Sequence, residues 1–278
     1  MTYATVHLHQ TPYPAPASLT AIDDASALAS LFEAKLTMSS SHLEIRAPQN
    51  RIAGTMMSTM APKLETITTA KTQALALYLR AEALCQDTPV KITQTAEHWH
   101  GDLADNAWRR RVGDLWVLGL SPNSAEPSLS VEDWRIGSGR PSTLYPDETT
   151  QPFPAESVLI CWDYSNSTAC TVSDALPLLH HAKRVRLAVL RCDKDIPVTD
   201  PTTPLVTFLA DDGVKFETED VAIGKQTIGA AILEHANATG TYLILMGAFG
   251  HSRLREFLLR GATRELRPKS TIPLFMSH

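Results

Sequence analysis

The sequence predicts an α/β protein of two tandem domains, each a five-stranded parallel sheet flanked by helices. Three observations predict it. Short apolar runs alternate with helix-like spacing along most of the chain, the order of a parallel sheet covered on both faces. Two pairs of segments resemble each other, 27–38 with 175–186 and 113–119 with 241–247, as a duplicated unit would. A Pro- and acid-rich stretch over 145–154 reads as a linker and divides 1–147 from 154–278.

In the first half, strands are expected at 5–9, 36–45, 90–95, 115–118 and 142–145, with helices near 21–33, 64–84 and 102–110. Residues 46–63, with three Met, read as an extra loop. The second half alternates more clearly. Residues 157–162 form a short apolar run, as expected of a strand buried on both faces. Ser165-Asn-Ser-Thr168 supplies helix-start chemistry ahead of apolar spacing through Ala169, Val172, Ala175, Leu176 and Leu179. Further strands are expected at 185–190, 214–221, 242–246 and 272–276, with helices near 204–212, 228–237 and 254–266. The last strand of each half is an open edge needing cover, and the two are expected to meet inside the chain.

Composition limits the function. Of 278 residues, 44% are hydrophobic and 20% charged, the range of ordinary globular protein. Lys plus Arg is 25 and Asp plus Glu is 30, a net charge of −5, which argues against nucleic acid as a partner. Residues 1–153 carry 12 basic and 16 acidic side chains and residues 154–278 carry 13 and 14, so the second half is nearly neutral. No apolar run approaches the roughly 20 residues of a membrane span, and the first residues do not read as a secretory signal. Cys85, Cys161, Cys170 and Cys192 form no CxxC pair, so neither a disulfide framework nor a cysteine zinc site is expected and a cytoplasmic location is. Cys161 and Cys170 are expected to pack as small apolar groups.

One stretch is the most specific. Residues 243–266 read as a buried strand, a loop bearing Gly247 and Gly250, then a helix preceded by His251 and Ser252. Glycines there would permit positive φ and close backbone approach. The helix N-terminus favours an anion, typically a phosphate. Six basic and two acidic residues over 251–269 reinforce that field. A bare Gly-x2-Gly turn ahead of a solvated basic helix is the plainer alternative.

The run Met246-Gly-Ala-Phe-Gly-His-Ser-Arg-Leu-Arg-Glu-Phe-Leu-Leu259, the following Gly-Ala-Thr-Arg and the closing Ser-Thr-Ile-Pro-Leu-Phe-Met resemble the universal stress protein family. More narrowly, the chain is similar to its tandem-domain members. The resemblance implies two Rossmann-like domains of the adenine nucleotide alpha hydrolase type, stress-response regulation, frequent dimerisation and no defined reaction. It implies ATP, ADP or AMP as ligand, with no metal beyond Mg accompanying the nucleotide. The family's binding pattern is Gly-x2-Gly-x9-Gly-(Ser/Thr), and Gly247 and Gly250 match its first two positions. Arg260 then stands where Gly is expected, and Gly261 where Ser or Thr is expected. That departure bears on triphosphate binding: an Arg that crowds the outer phosphates favours AMP, ADP or a small anion such as sulfate. Asp163 matches the family's Asp after the first strand, beside the adenine, although capping the local turn explains it equally. By the same analogy a backbone group near Leu190 faces the adenine. The first half has no such Asp after His7-Leu-His-Gln10 and no second Gly in Gly119-Leu-Ser-Pro122. It is expected to lack this type of site.

The remaining constellations are plainer. His98-Trp99-His100 reads as an exposed strand end, His180-His181 as a helix end near the dipole, and Arg109 to Arg111 as a solvated basic run. No catalytic motif occurs, so no enzyme is expected. The alternatives are an interaction protein without nucleotide, acting through its sheet edges, and a weak nucleotide hydrolase using His251 or Asp163. Pairing of the two domains and a homodimer are the expected assemblies.

Overall fold

The computed structural model describes residues 2–10, 19–44, 57–84, 90–98, 112–119, 139–146, 156–191, 202–223, 225–247, 265–266 and 269–277. The first half contributes β1 (Thr5–Gln10), α1 (Thr20–Leu31), β2 (Lys35–Glu44), α2 (Met57–Leu84), β3 (Val90–His98), β4 (Leu115–Gly119) and β5 (Ser142–Tyr145). The second contributes β6 (Ser157–Trp162), α3 (Asn166–His181), β7 (Arg184–Arg191), α4 (Thr203–Asp211), β8 (Glu217–Ala222), α5 (Ile228–Ala238), β9 (Leu243–Leu245) and β10 (Leu274–Met276).

All ten strands lie in one sheet, in the order β3-β2-β1-β4-β5-β10-β9-β6-β7-β8. Within each half every pairing is parallel. Counted from its own first strand, each half has the same order, 3-2-1-4-5. The two halves join through β5 and β10, which pair antiparallel with Leu274 opposite Leu144. Each last strand thereby removes the other's open edge.

Alternation along the strands separates two apolar layers. Val6, Leu8, Val158, Ile160, Leu245 and Phe275 belong to one, with α1, α2, α3 and α4 packed on it. Leu118, Leu144, Leu159, Ile244 and Leu274 belong to the other, which Ile232 and Ala236 of α5 cover. The first layer is continuous across both halves. Polar and aromatic contacts add to it: the Tyr3 hydroxyl donates to the Asp174 carbonyl at 2.5 Å, and the Phe32 ring meets His181 edge-on at 5.3 Å. The Tyr242 hydroxyl, buried beside Tyr145, donates to Asp24 Oδ2 at 3.4 Å.

Several expectations change. α2 starts at Met57, so part of the expected 46–63 loop is helix; Pro62 has no N–H to offer a helix interior and masked that start. β8 starts at Glu217 instead of residue 214, because the side chain of Val214 packs into the α4 layer before the strand begins. Cys161 is buried as expected, but Cys170 is exposed on α3. His180 and His181 do close α3, and His180 Nε2 lies 2.7 Å from Asp212 Oδ2. The expected helix at 102–110 and nearly all of that at 254–266 lie outside the described residues.

Candidate functional site

In an open α/β sheet the carboxyl ends of the strands, where the order reverses, form the natural crevice. In the second half that reversal lies between β6 and β9, which flank each other at the centre of the half. Asp163 follows β6 directly. One oxygen, Oδ1, accepts from Ser165 N at 3.1 Å, Ser165 Oγ at 2.7 Å and Thr168 Oγ1 at 2.5 Å. Among the described residues Oδ2 takes no such bond, and the side chain is half-buried. Ser165 is the N-cap of α3, its Oγ accepting from Thr168 N at 3.1 Å, so Asp163 supports the residue that caps the helix. Ser167 Oγ stands 3.0 Å from Ser165 Oγ and completes a hydroxyl cluster at the helix start.

Between Asp163 and that cap sits Tyr164 at φ 65. An aromatic residue seldom adopts this left-handed conformation, and such strain gathers at functional turns. Its ring packs edge-on against Trp162 at 5.7 Å. The indole Nε1 of Trp162 is buried without a hydrogen-bond partner among the described residues. Neighbouring Cys161 carries a thiol that burial, with Asp163 adding, pushes far above its ordinary value. A thiol so held is a packing group and not a nucleophile.

Gly247 follows β9 on the other side of the reversal. A Cβ there would stand 2.6 Å from Ser167 Oγ, 2.7 Å from Thr168 Oγ1 and 2.8 Å from Thr168 N. The expectation of positive φ is corrected, since Gly247 is not among the positive-φ glycines. Its reason is close approach to the first turn of α3, which leaves no room for a side chain. Thr171, one turn on, locks the same corner: its Oγ1 lies 2.7 Å from Ser167 O and 3.3 Å from Met246 O, and accepts from Ser277 N at 3.0 Å.

Leu190 sits near the end of β7, one position beyond the pair Trp162–Val189. Its side chain is buried in the apolar layer with Leu159, Cys161 and Met246, so only its backbone can address a ligand. Asp163, Leu190 and Gly247 therefore share one end of the sheet, and Thr168 touches both Asp163 and the Gly247 corner. Gly250, His251, Ser252, Arg260 and Gly261 lie outside the described residues. Sequence reasoning read Ser165 to Thr168 only as helix-start chemistry. It missed that Ser167 and Thr168 form the floor beneath Gly247. Tyr164 carried no signal, because a strained φ leaves no mark on residue type. Among the described residues, no cluster of three His, Cys, Asp or Glu could hold a metal ion, and no helix is long and apolar enough to cross a membrane.

No protein-family model matches the chain, and no curated protein matches its sequence. Solved structures do match. A universal stress protein from Archaeoglobus fulgidus DSM 4304 superposes with a TM-score of 0.64 at 13% identity, over 97% of this chain and 94% of that one. A putative universal stress protein from Pseudomonas aeruginosa UCBPP-PA14 superposes at 0.55 and 13% identity, over 98% and 92%. A functionally unknown protein from Pseudomonas aeruginosa PAO1 gives 0.53 at 11% identity, over 98% and 92%. The 3-2-1-4-5 order in each half, the reversal beside Asp163 and Gly247, and these superpositions over nearly the full length lead to one conclusion: the chain has the fold of the universal stress proteins.

Proposed function

We propose that the chain is a non-catalytic binding protein of the stress response, with an adenine-nucleotide or small-anion site at the carboxyl ends of β6, β7 and β9. The observation that carries this reading is the asymmetry of Asp163. Its three bonds to described residues converge on Oδ1, which fixes the carboxylate and leaves Oδ2 to accept from a ligand amine such as the exocyclic group of adenine. The backbone near Leu190 would flank the base, and Gly247, Gly250, His251 and Ser252 would receive phosphate. Arg260 and Gly261, in place of the family's Gly and Ser or Thr, favour AMP, ADP or an anion such as sulfate over ATP. Any Mg would arrive with the nucleotide.

The first half takes no part in this site, and the units 1–147 and 154–278 are the two domains of the reading. A second reading, an interaction protein without nucleotide, draws support from the same bonds, since they already give Asp163 a structural role. Calorimetric titration with AMP, ADP and ATP separates the two. Asp163→Asn keeps an acceptor for Ser165 and Thr168 but replaces the other oxygen by a donor. Under the first reading it loses adenine-nucleotide binding with little change in melting temperature. If parent and variant both fail to bind any of the three, the first reading is wrong.

A further inference from the structure

Gln10 holds in β1 the place that Trp162 holds in β6: each closes the first strand of its half, and each side chain is buried. By alternation Gln10 lies on the same face as Val6 and Leu8, in the apolar layer that receives the Trp162 ring. An apolar side chain would suit that layer, yet the position carries an amide. Its exposure is 0%, and neither Oε1 nor Nε2 has a hydrogen-bond partner among the described residues. A hydrogen bond left unmade in the interior is costly, and native interiors seldom leave one so.

The position of the amide gives it a use. In the order β3-β2-β1-β4-β5 the reversal lies between β1 and β4. Gln10 stands at the carboxyl end of β1 beside that reversal, where open α/β sheets take their ligands. On one side it pairs with Ser40 of β2. On the other, one step beyond the pair His9–Leu118, β4 offers Gly119, which itself pairs with Tyr145 of β5. The row therefore has no side chain between the amide and Tyr145, and a glycine within a strand is a place where a ligand can approach the backbone closely. Tyr145 is buried and its hydroxyl is bonded to that of Tyr242, so it bounds the row without engaging the amide. Neither Ser40 nor Gly119 carries a charge, and so buried a position penalises a charged ligand. An amide presents donor and acceptor side by side in one plane. Its complement is a planar, neutral edge with an N–H beside a C=O.

We propose that the first half binds an uncharged, planar ligand with a lactam edge through Gln10, at the carboxyl ends of β1 and β4. Gln10 Nε2 donates to the ligand carbonyl and Oε1 accepts from the ligand N–H, over Gly119. This site differs in kind from the one beside Asp163, and it stands whether or not nucleotide binds there.

Uracil is the probe, a small neutral ring with lactam edges, and its N,N′-dimethyl derivative is the same ring without an N–H. Calorimetric titration of the full chain is expected to show uracil binding, with the dimethyl ring weaker by roughly tenfold or more. Gln10→Leu is expected to weaken uracil binding by roughly the same factor while melting at or above the parent's temperature, which sets the loss apart from unfolding. Gly119→Ala places a methyl group in the middle of the row and is expected to weaken uracil binding as well. AMP is expected not to displace uracil. A parent that does not bind uracil, equal binding of the two rings, undiminished binding in Gln10→Leu or Gly119→Ala, or displacement of uracil by AMP would each overturn the proposal.

Discussion

The carboxyl ends of β1 and β6 occupy the same place in the strand order of their halves and carry different chemistry. After β6, Asp163 is bound to Ser165 and Thr168, the helix that follows has a Ser cap, and Gly247 packs against the first turn of that helix. At the end of β1, Gln10 is fully buried and neither amide atom has a partner among the described residues, while α1 begins at Thr20 after Leu19, an N-cap with no side-chain bond to offer. The first half instead places its carboxylate at the opposite end of the sheet. Asp114 Oδ2 accepts from Ala4 N at 2.8 Å and Thr5 N at 2.9 Å, holding the start of β1 beside β4. One architecture thus supports a polar, pre-arranged strand end in one half and a buried amide in the other. Fold and site are separable, because loop residues set the site without altering the ladder.

The largest expected effect that sharpens this contrast is at Gly247. Gly247→Ala drives a Cβ into the Thr168 backbone and is expected to cost about 1–3 kcal/mol by overpacking, read as a lower denaturant midpoint. An unchanged midpoint would mean that the close approach is not tight in solution.

Next come the two carboxylates. Asp163→Ala and Asp114→Ala are each expected to destabilise the protein by about 1–2 kcal/mol through lost hydrogen bonds. Only Asp163→Ala should also change nucleotide binding in a titration. Equal losses of binding from both would erase the distinction between the halves.

Gln10→Leu is expected to have the opposite sign. Removing a buried amide that has no partner among the described residues, in favour of an apolar side chain of similar size, should leave stability unchanged or raise it by about 1 kcal/mol. A clear loss in chemical denaturation would show that the amide is satisfied in solution.

The smallest effect concerns pH. His7 stacks on Trp116 at 4.6 Å between centroids and bonds Thr37. Burial lowers its pKa from the ordinary value of 6.5; Asp114 opposes that shift and Lys35 adds to it. The unfolded chain therefore takes up this proton first as pH falls, and by linkage stability declines below about pH 6.5. Denaturation curves at pH 7.5 and 5.5 should converge partly in His7→Gln, and an unaltered pH dependence in that variant would place its origin elsewhere.

Legibility in the sequence varied with the range of the interaction. Val158 to Trp162 and Leu115 to Gly119 are short apolar runs buried almost throughout, and burial on both faces writes itself directly into residue type. The Met57 start of α2 was hidden because Pro62, with no N–H to offer a helix interior, contradicts it locally. Asp163 was visible as a polar residue after a strand. Which of its oxygens is engaged was not visible, since that depends on the rotamers of Ser165 and Thr168.

By itself, then, the sequence determined the alternation of strands and helices and the presence of Asp163 and Gly247 at strand ends. These follow from local pattern, because each residue type answers to its own burial and backbone geometry. Only the tertiary structure decided the reason for Gly247, the idle amide of Gln10 and the strained φ of Tyr164. The Gly247 corner meets Thr168 from 79 positions along the chain. A contact between segments so far apart is fixed by how α3 docks against β6 and β9, and no spacing within either segment encodes it.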